Sequence, residues 1–207
     1  MTTIKIERVP FVCDPDALSP EDIERLMALG PSHVLLPIVH ADRDTFRRAY
    51  IQELPMRPLY IFDLDGTLAL TEHRQHLVRC EKPDWSAFFR ACVDDQPNWP
   101  VVSVLQTLLS TGADIQIWSG RSAEVMNETL EWLHLRVGLS EESEEVRLVM
   151  RREGDFTPDE QLKRAWLEAM PEYDRRRLVC VFDDRDKVVA MWRAAGVCCC
   201  QVAPGAF

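Results

Sequence analysis

Short runs rich in apolar residues alternate with longer segments of helical periodicity from residue 59 onward. The runs predict five buried strands, at 59–62, 113–118, 146–150, 178–182 and 197–202. The segments between them place apolar residues on one helical face and predict helices at 100–111, 122–135, 157–169 and 185–195. Strands that alternate with helices predict an α/β fold with a Rossmann-like, doubly wound parallel sheet of about five strands.

Residues at the ends of these segments support the helix assignment. Pro100 suits a first helical turn, and Gly112 and Gly196 follow last turns, where glycine is common. Thr157 with Glu160 three positions later forms a capping-box pattern. The sequence therefore predicts a helix whose first residue directly follows Thr157.

The first 56 residues differ from this regular pattern. Amphipathic segments there predict helices at 14–30 and 41–54. Two prolines, at positions 55 and 58, then separate them from the first strand. We therefore expect an N-terminal extension of undetermined role over 1–56 and one domain over 57–207.

Composition places the chain among ordinary globular proteins. Its 207 residues include 46% hydrophobic and 28% charged residues, with 8 Gly and 13 Pro, which excludes collagen-like and disordered classes. The net charge of −10 argues against broad binding along nucleic acid, yet it allows an enzyme that grips one phosphate. No apolar run is long enough to span a membrane, and the first residues lack a signal-peptide core, so we expect no membrane contact.

The seven cysteines are odd in number and include no CxxC pair. Cys198, Cys199 and Cys200 are consecutive, so in a strand they alternate between faces and are not expected to converge on one metal ion. The pattern is typical of reduced thiols in a reducing compartment, which predicts a cytoplasmic protein.

Polar groups follow four of the predicted strands, at the edge where α/β sheets bind ligands. In chain order they are Asp63 and Asp65, then Ser119, Gly120 and Arg121, then Arg151, and finally Asp183 and Asp184. A single DxDG is more often a turn, but four strands ending this way favour a site. The carboxylates would repel one another without a cation, and oxygen ligands favour Mg²⁺.

The motifs DLDGTLA, WSGR and FDDR, with Lys163 between the last two, resemble those of the haloacid dehalogenase (HAD) superfamily, most of whose members are phosphatases. The chain from residue 59 is similar to the 3′-phosphatase domain of phage-type polynucleotide kinase-phosphatases. That similarity includes RREGDFTPDEQLK and the final segment from DDRDKVV. Arg74 also lies eleven residues after Asp63, where that family has an arginine. The resemblance implies the HAD fold with a small cap.

The resemblance implies a role for each candidate residue. Asp63 is expected to attack phosphorus and form an aspartyl-phosphate, and Asp65 to act as general acid and then base, with a pKa raised by acidic neighbours. Ser119 and Lys163 complete the predicted catalytic set, and Asp159 is expected to hold Lys163 from four residues away. The predicted metal ligands are Asp63, Asp183, Asp184 and the carbonyl of Asp65. The predicted substrate-binding residues are Thr67, Arg74, Gly120, Arg121, Arg151 and Asp159.

Two of these substrate contacts are arginines that the general chemistry does not require. Arg74 is expected to fold over the mouth of the site, and Arg151 to face the same edge. Guanidinium groups there would offer paired donors to phosphate oxygens. The alternative is that both are surface arginines paired with local carboxylates such as Glu72 and Glu153.

The kinase half of the polynucleotide kinase-phosphatases that this chain resembles needs a GxxxxGK[ST] loop to bind nucleotide phosphates. This sequence contains no Gly-Lys pair. We therefore expect no 5′-kinase activity. The segments between the motifs are too short for a large lid, which favours an open site for a polynucleotide 3′ end or a nucleotide. In the short cap, core packing is favoured over base stacking for Trp85, Phe88 and Phe89.

Two other functions remain open. One is a general nucleotide or small-metabolite phosphatase on the same scaffold. The other is an interaction protein that has lost turnover, which the intact set of motif residues disfavours. The sequence does not decide between DNA and RNA, nor does it give an oligomeric state.

Overall fold

The computed structural model describes residues 57–139 and 146–205. The predicted extension 1–56, with its helices at 14–30 and 41–54, lies outside these residues. Within the described residues, no helix combines the length and apolar character needed to cross a membrane.

Seven strands and six α-helices follow one another in these residues. The strands are β1 (Leu59–Phe62), β2 (Ala69–Leu70), β3 (Gln96–Pro97), β4 (Asp114–Ser122), β5 (Val146–Arg151), β6 (Leu178–Asp183) and β7 (Cys199–Gln201). The helices are α1 (Trp85–Arg90), α2 (Trp99–Ser110), α3 (Met126–Trp132), α4 (Asp159–Ala169), α5 (Glu172–Arg177) and α6 (Asp186–Ala194).

Five strands form one parallel sheet in the order β5-β4-β1-β6-β7. Within the described residues, the sheet begins with the central strand β1, continues outward through β4 and β5, and is completed on the other side by β6 and β7. This order is that of a doubly wound sheet, which confirms the predicted α/β fold. It brings the carboxyl ends of β1, β4 and β6 side by side, where a site is expected.

Both faces of the sheet are covered by helices. Side chains of β1 alternate between them: Phe62 packs in a core with Leu105 of α2, whereas Ile61 packs in a second core with Trp192 of α6. Burial on both faces explains why the strands carry so few polar residues before their carboxyl ends.

A small cap lies between β1 and α2. It consists of the two-stranded antiparallel pair β2–β3, a 3₁₀ helix at Glu72–Leu77, helix α1 and a second 3₁₀ helix at Ala91–Asp94. This agrees with the predicted small cap. Phe88 of α1 is buried as expected for core packing, but Trp85 is 49% exposed.

Strand β4 extends beyond its predicted end at Trp118. A bulge between Ser119 and Ser122 lets the strand continue pairing with β5, so Ser122 lies opposite Arg151. The predicted single helix at 122–135 is instead a 3₁₀ turn at Ala123–Val125, helix α3 and a π-helical turn at Leu133–Val137. Gly138 then ends this segment in the left-handed conformation, with φ of 77°.

The predicted capping box at Thr157 does not form. Helix α4 begins at Asp159, and its N-cap is Pro158, without a side-chain hydrogen bond. The carbonyl of Thr157 accepts a hydrogen bond from Arg151, and its N–H donates to Asp155. These contacts hold Thr157 in the preceding loop, so the helix starts later than the pattern predicts.

Candidate active site

Three buried carboxylates meet at the carboxyl ends of β1 and β6. Asp63 directly follows β1, and its N–H donates to the carbonyl of Phe182 in β6. Asp183 ends β6 and Asp184 follows it, so the adjacent parallel strands place all three side chains together. One oxygen from each carboxylate lies within 4.8 Å of the others. The sheet thus builds the acidic cluster that the sequence predicts.

Lys163 extends from α4 into this cluster. Its Nζ lies 2.5 Å from Asp63 Oδ1 and 2.8 Å from Asp183 Oδ2, and the side chain is almost fully buried. Burial opposes the charge of Lys163, but Asp183 and Asp63 outweigh this effect and raise its pKa. The lysine is therefore a permanent cation beside Asp63.

One lysine does not balance three carboxylates. Burial raises the pKa of Asp63 well above its ordinary value, against the opposing effect of Lys163, and Asp183 and Asp184 raise it further. Burial, followed by repulsion from Asp183, raises the pKa of Asp184 to about 7. Asp184 Oδ1 is also buried without a hydrogen-bond partner. A hard divalent cation fits this donor set, because it would supply the missing positive charge and a partner for that oxygen.

Gly66 lets the chain pass close to this cluster. Its backbone has φ of 91°, in the left-handed region that disfavours side chains. A Cβ atom there would lie 2.2 Å from Asp184 Oδ2, which is impossibly close. The glycine of the DLDGT motif is therefore required both by the turn and by the space that Asp184 occupies.

Two buried guanidinium groups hold Asp65. Arg74 Nη2 donates to Asp65 Oδ1 at 2.6 Å, and Arg121 donates to both carboxylate oxygens. Both arginines are fully buried. Arg74 was expected at the mouth of the site, but its side chain is fully buried in ion pairs with Asp65 and Asp95. The alternative partner Glu72 is also wrong.

Asp95 completes this network, and sequence reasoning missed it. It is fully buried and accepts hydrogen bonds from Arg74 Nε and Nη2 at 2.7 and 2.6 Å and from Arg121 Nη2 at 2.9 Å. His73 Nε2 also lies 2.9 Å from Asp95 Oδ1, the oxygen that Arg74 Nε contacts. Asp95 therefore fixes the two guanidinium groups that contact Asp65. No motif marks it, since it lies in the cap, 30 positions after Asp65 in the chain.

The predicted rise in the pKa of Asp65 is wrong. Burial favours the protonated acid, but Arg121 and Arg74 outweigh burial and lower its pKa to about 2. The charges nearest to Asp65 are those of the two arginines, which lie between Asp65 and Asp95. The acidic residues close to Asp65 in the site motifs lie farther from its carboxylate than these arginines. Asp65 is thus an ionised acceptor in this structure.

The turn after Ser119 is part of strand β4, which continues to Ser122, where the sequence predicts the start of a helix. Ser119 is fully buried, and its Oγ accepts a hydrogen bond from the N–H of Arg121 at 3.1 Å. That amide is therefore engaged within the turn rather than free for phosphate, and β4 continues through it. Gly120 packs so close to Asp159 that a Cβ would lie 2.6 Å from Asp159 Oδ1.

Arg151 at the end of β5 and Asp159 at the start of α4 form an ion pair at the cavity. Arg151 donates to the carbonyls of Gly120 at 2.6 Å, Asp155 at 3.2 Å and Thr157 at 2.6 Å, and its Nη2 pairs with Asp159. Asp159 also pairs with Arg185, which sequence reasoning missed although it ends the FDDR motif. The predicted pairing of Asp159 with Lys163 is wrong. Asp159 pairs with the guanidinium groups of Arg151 and Arg185, whereas Lys163 pairs with the carboxylates of the acidic cluster. The alternative partner Glu153 for Arg151 is wrong as well.

A cavity of about 740 Å³ opens above these residues. Five predicted site residues line it, namely Asp63, Asp65, Gly120, Arg151 and Asp159. The others lie behind this surface: Thr67, Arg74, Ser119, Arg121, Lys163, Asp183 and Asp184. Thr67 was predicted to bind substrate, but its hydroxyl is buried without a hydrogen-bond partner. The carboxylates of Asp63 and Asp65 thus face the cavity, and the residues behind them support them.

Comparison with known proteins agrees with this architecture. The chain resembles the solved Pnkp1/Rnl/Hen1 RNA repair complex, with a TM-score of 0.59 and 24% identity over 84% of this chain and 48% of the solved chain. A second structure of the Pnkp1/Rnl/Hen1 complex gives a TM-score of 0.57 and 28% identity over 74% and 48%. The chain thus spans about half the length of the solved chains it matches.

A family model described as the polynucleotide kinase PNKP phosphatase domain matches residues 57–207. The match starts where the predicted domain starts and covers every residue of the site. It confirms the resemblance seen in the motifs. The chain therefore belongs to the PNKP phosphatase domain family, and with it to the phosphoric monoester hydrolases.

Proposed function

We propose that this chain is a Mg²⁺-dependent phosphatase that removes the 3′-terminal phosphate from polynucleotide ends or from nucleoside 3′-phosphates. The observation that carries the proposal is the pair Asp63 and Asp65, which share one open cavity above a buried acidic cluster. Family membership supports the phosphatase chemistry. The 3′ preference rests on the resemblance of the motifs.

Mg²⁺ is the metal we assign to the cluster of Asp63, Asp183 and Asp184. When bound, it would neutralise charge on the cluster and polarise a phosphate oxygen. Three carboxylates and one lysine leave a formal charge of −2, which a divalent cation balances. The unpartnered Asp184 Oδ1 supports the same assignment. The carbonyl of Asp65 is the fourth protein ligand that we propose.

Asp63 is the nucleophile in this proposal. Its carboxylate lines the cavity and attacks phosphorus, so that an aspartyl-phosphate forms and the nucleoside oxygen leaves. Lys163 contacts the same carboxylate and stabilises the charge of the transferring phosphoryl group. Water then hydrolyses the aspartyl-phosphate and restores Asp63.

Asp65 is the proton-transfer residue. Arg121 and Arg74 keep Asp65 ionised in the resting protein, so its carboxylate has a free site to accept a proton from the attacking water. Its earlier role, protonation of the leaving oxygen, requires a higher pKa. A phosphate dianion beside the carboxylate raises that pKa by charge repulsion, so Asp65 takes up a proton from solvent as substrate binds and then donates it to the leaving oxygen.

The open cavity supports a polynucleotide end over a small enclosed metabolite. A cavity of about 740 Å³ exceeds what one phosphate group fills, and the short cap leaves it accessible. We propose a role in processing nucleic acid ends, as in DNA or RNA repair. The similarity to proteins of an RNA repair complex makes RNA ends the first substrates to examine.

We further propose that this chain carries no 5′-kinase activity, because its 207 residues contain no Gly-Lys pair for a phosphate-binding loop. Incubation with γ-labelled ATP and a 5′-hydroxyl oligonucleotide should therefore transfer no label. The cysteine pattern supports our proposal that the protein acts in the cytoplasm.

Release of inorganic phosphate from a matched set of substrates tests the function. The set comprises one oligonucleotide with a 3′-phosphate, the same oligonucleotide with a 5′-phosphate, and nucleoside 3′- and 5′-monophosphates. The proposal requires a clear preference for 3′-phosphates. Equal rates on 5′-phosphates and unrelated metabolite phosphates would favour the general phosphatase, and no release from any would favour the interaction protein.

A further inference from the structure

Four aromatic side chains line the cavity above Asp63 and Asp65. Trp85, Phe88 and Phe89 line it from α1, and Phe156 lines it from the loop between β5 and α4. The catalytic proposal uses none of these four side chains. They therefore form a feature of the cavity that is distinct from the reacting carboxylates.

Two of the rings are well exposed. Phe156 is 85% exposed and Trp85 is 49% exposed, although both belong to residue types that gain free energy from burial. Trp85 packs its edges against Phe88 and Phe89, with ring centroids 5.8 and 6.1 Å apart. Phe156 has no ring contact within the described part of the chain. Both therefore present exposed apolar surface to the cavity.

The Arg74 side chain connects the aromatic residues of α1 to the carboxylate of Asp65. The Arg74 guanidinium lies over the Phe88 ring, 4.1 Å from its centroid, and Nη1 donates to the Phe88 carbonyl at 3.1 Å. The same guanidinium donates to Asp65 at 2.6 Å. Helix α1, and Trp85 with it, is therefore held at a fixed position relative to Asp65.

We infer that Trp85 and Phe156 form a stacking subsite for the base of the 3′-terminal nucleotide. This inference rests on the proposed function and deepens it. The base is planar, and the sugar that carries the 3′-phosphate connects it to the reacting group. An aromatic ring stacks on any base, so the subsite recognises a nucleotide without reading its sequence. Phe88 and Phe89 pack against the Trp85 ring.

Two 3′-phosphorylated oligonucleotides that differ only at the terminal residue test this inference. One ends in an adenosine nucleotide and the other in an abasic analogue with the same sugar and phosphate. Stacking predicts a kcat/KM about 5- to 100-fold higher for the base-ended substrate in the wild type. Phe156→Ala and Trp85→Ala should bring this ratio towards one. Phe156 is so exposed that its replacement should not disturb folding, and Trp85→Phe should keep part of the preference.

Trp99→Ala is the matched control, since Trp99 is 57% exposed in α2 and does not line the cavity. It should keep the wild-type ratio. An equal kcat/KM for both substrates in the wild type would overturn the inference while leaving the phosphatase intact. Equal losses on both substrates in the Phe156 and Trp85 variants would overturn it too.

A binding measurement separates this inference from the catalytic proposal. Asp63→Asn protein is mixed with a 3′-phosphorylated oligonucleotide whose terminal base is 2-aminopurine, a fluorophore that stacking quenches. We expect quenching that Phe156→Ala and Trp85→Ala weaken in the same background. Binding without quenching would overturn the stacking subsite even if the wild type proved inactive on every phosphate.

Discussion

Lys163 Nζ lies 2.5 Å from Asp63 Oδ1, although the two residues are 100 positions apart in the chain. The sheet edge and helix α4 bring them together in the buried centre of the site. The same ammonium group contacts Asp183 at 2.8 Å. The cation that would assist phosphoryl transfer thus also holds the acidic cluster together.

Replacement of this lysine should affect both stability and activity. Lys163→Met keeps much of the volume but leaves Asp63 and Asp183 without their buried partner, which typically costs about 3–5 kcal/mol of unfolding free energy. Phosphate release should fall by about 10²-fold or more, since one electrostatic donor is lost. Urea denaturation and steady-state kinetics measure the two effects. Lys82→Met, at an exposed cap position, is the control, and equal behaviour of the two variants would contradict this role.

Removal of divalent cations should silence the protein and make it easier to unfold. A ligand held at 100 times its Kd stabilises the folded state by about 2.7 kcal/mol. Chelation should therefore lower the unfolding midpoint and stop phosphate release, and added Mg²⁺ should restore both. In Asp184→Asn the Mg²⁺-dependent shift should disappear. Full activity after metal removal verified by elemental analysis would refute the metal requirement.

Two adjacent residues, Asp95 and Asp94, test the buried network around Asp65. Asp95→Asn leaves Arg74 and Arg121 without the charge that holds them, so unfolding free energy should fall by about 3–5 kcal/mol and activity should fall with it. Asp94→Asn, one position earlier and exposed, should change stability by less than about 0.5 kcal/mol. Chemical denaturation of both variants measures the difference. Similar small changes in both would mean that Asp95 does not support the guanidinium pair.

Arg151 should affect activity by holding the loop between β5 and α4 in place rather than by contacting the substrate. Its donors go to Gly120, Asp155, Thr157 and Asp159, and leaving such acceptors unpaired typically costs about 1–3 kcal/mol. Arg151→Ala should therefore lower kcat/KM by a similar factor on a 3′-phosphorylated oligonucleotide and on a small aryl phosphate. A loss confined to the oligonucleotide would restore the direct nucleotide contact that the sequence predicts.

The sequence predicted the parts of this molecule that the backbone pattern determines. Apolar runs placed the strands, and a doubly wound parallel sheet necessarily gathers the residues that follow β1 and β6, so Asp63, Asp183 and Asp184 could be grouped in advance. The bounds of α4 and the bulge in β4 could not be predicted. Hydrogen bonds from Arg151 determine where α4 begins, and pairing with β5 determines the bulge.

Side-chain pairing in the site was harder to predict than its location. The helical spacing of Asp159 and Lys163 suits an ion pair, yet each finds a stronger partner across the fold. Asp95 reverses the expectation for Asp65, since the arginines that it orients outweigh every acidic neighbour. Such choices depend on distances between elements that local sequence does not contain.

The most direct test of the whole account is a rapid acid quench with an oligonucleotide that carries a labelled 3′-phosphate. The account predicts that label appears transiently on the protein, in a peptide that contains Asp63, and that it never appears in Asp63→Asn. The same oligonucleotide labelled at its 5′-phosphate should give no labelled protein. Steady phosphate release from the 3′ end without labelled Asp63, or equal labelling from both ends, would contradict the account.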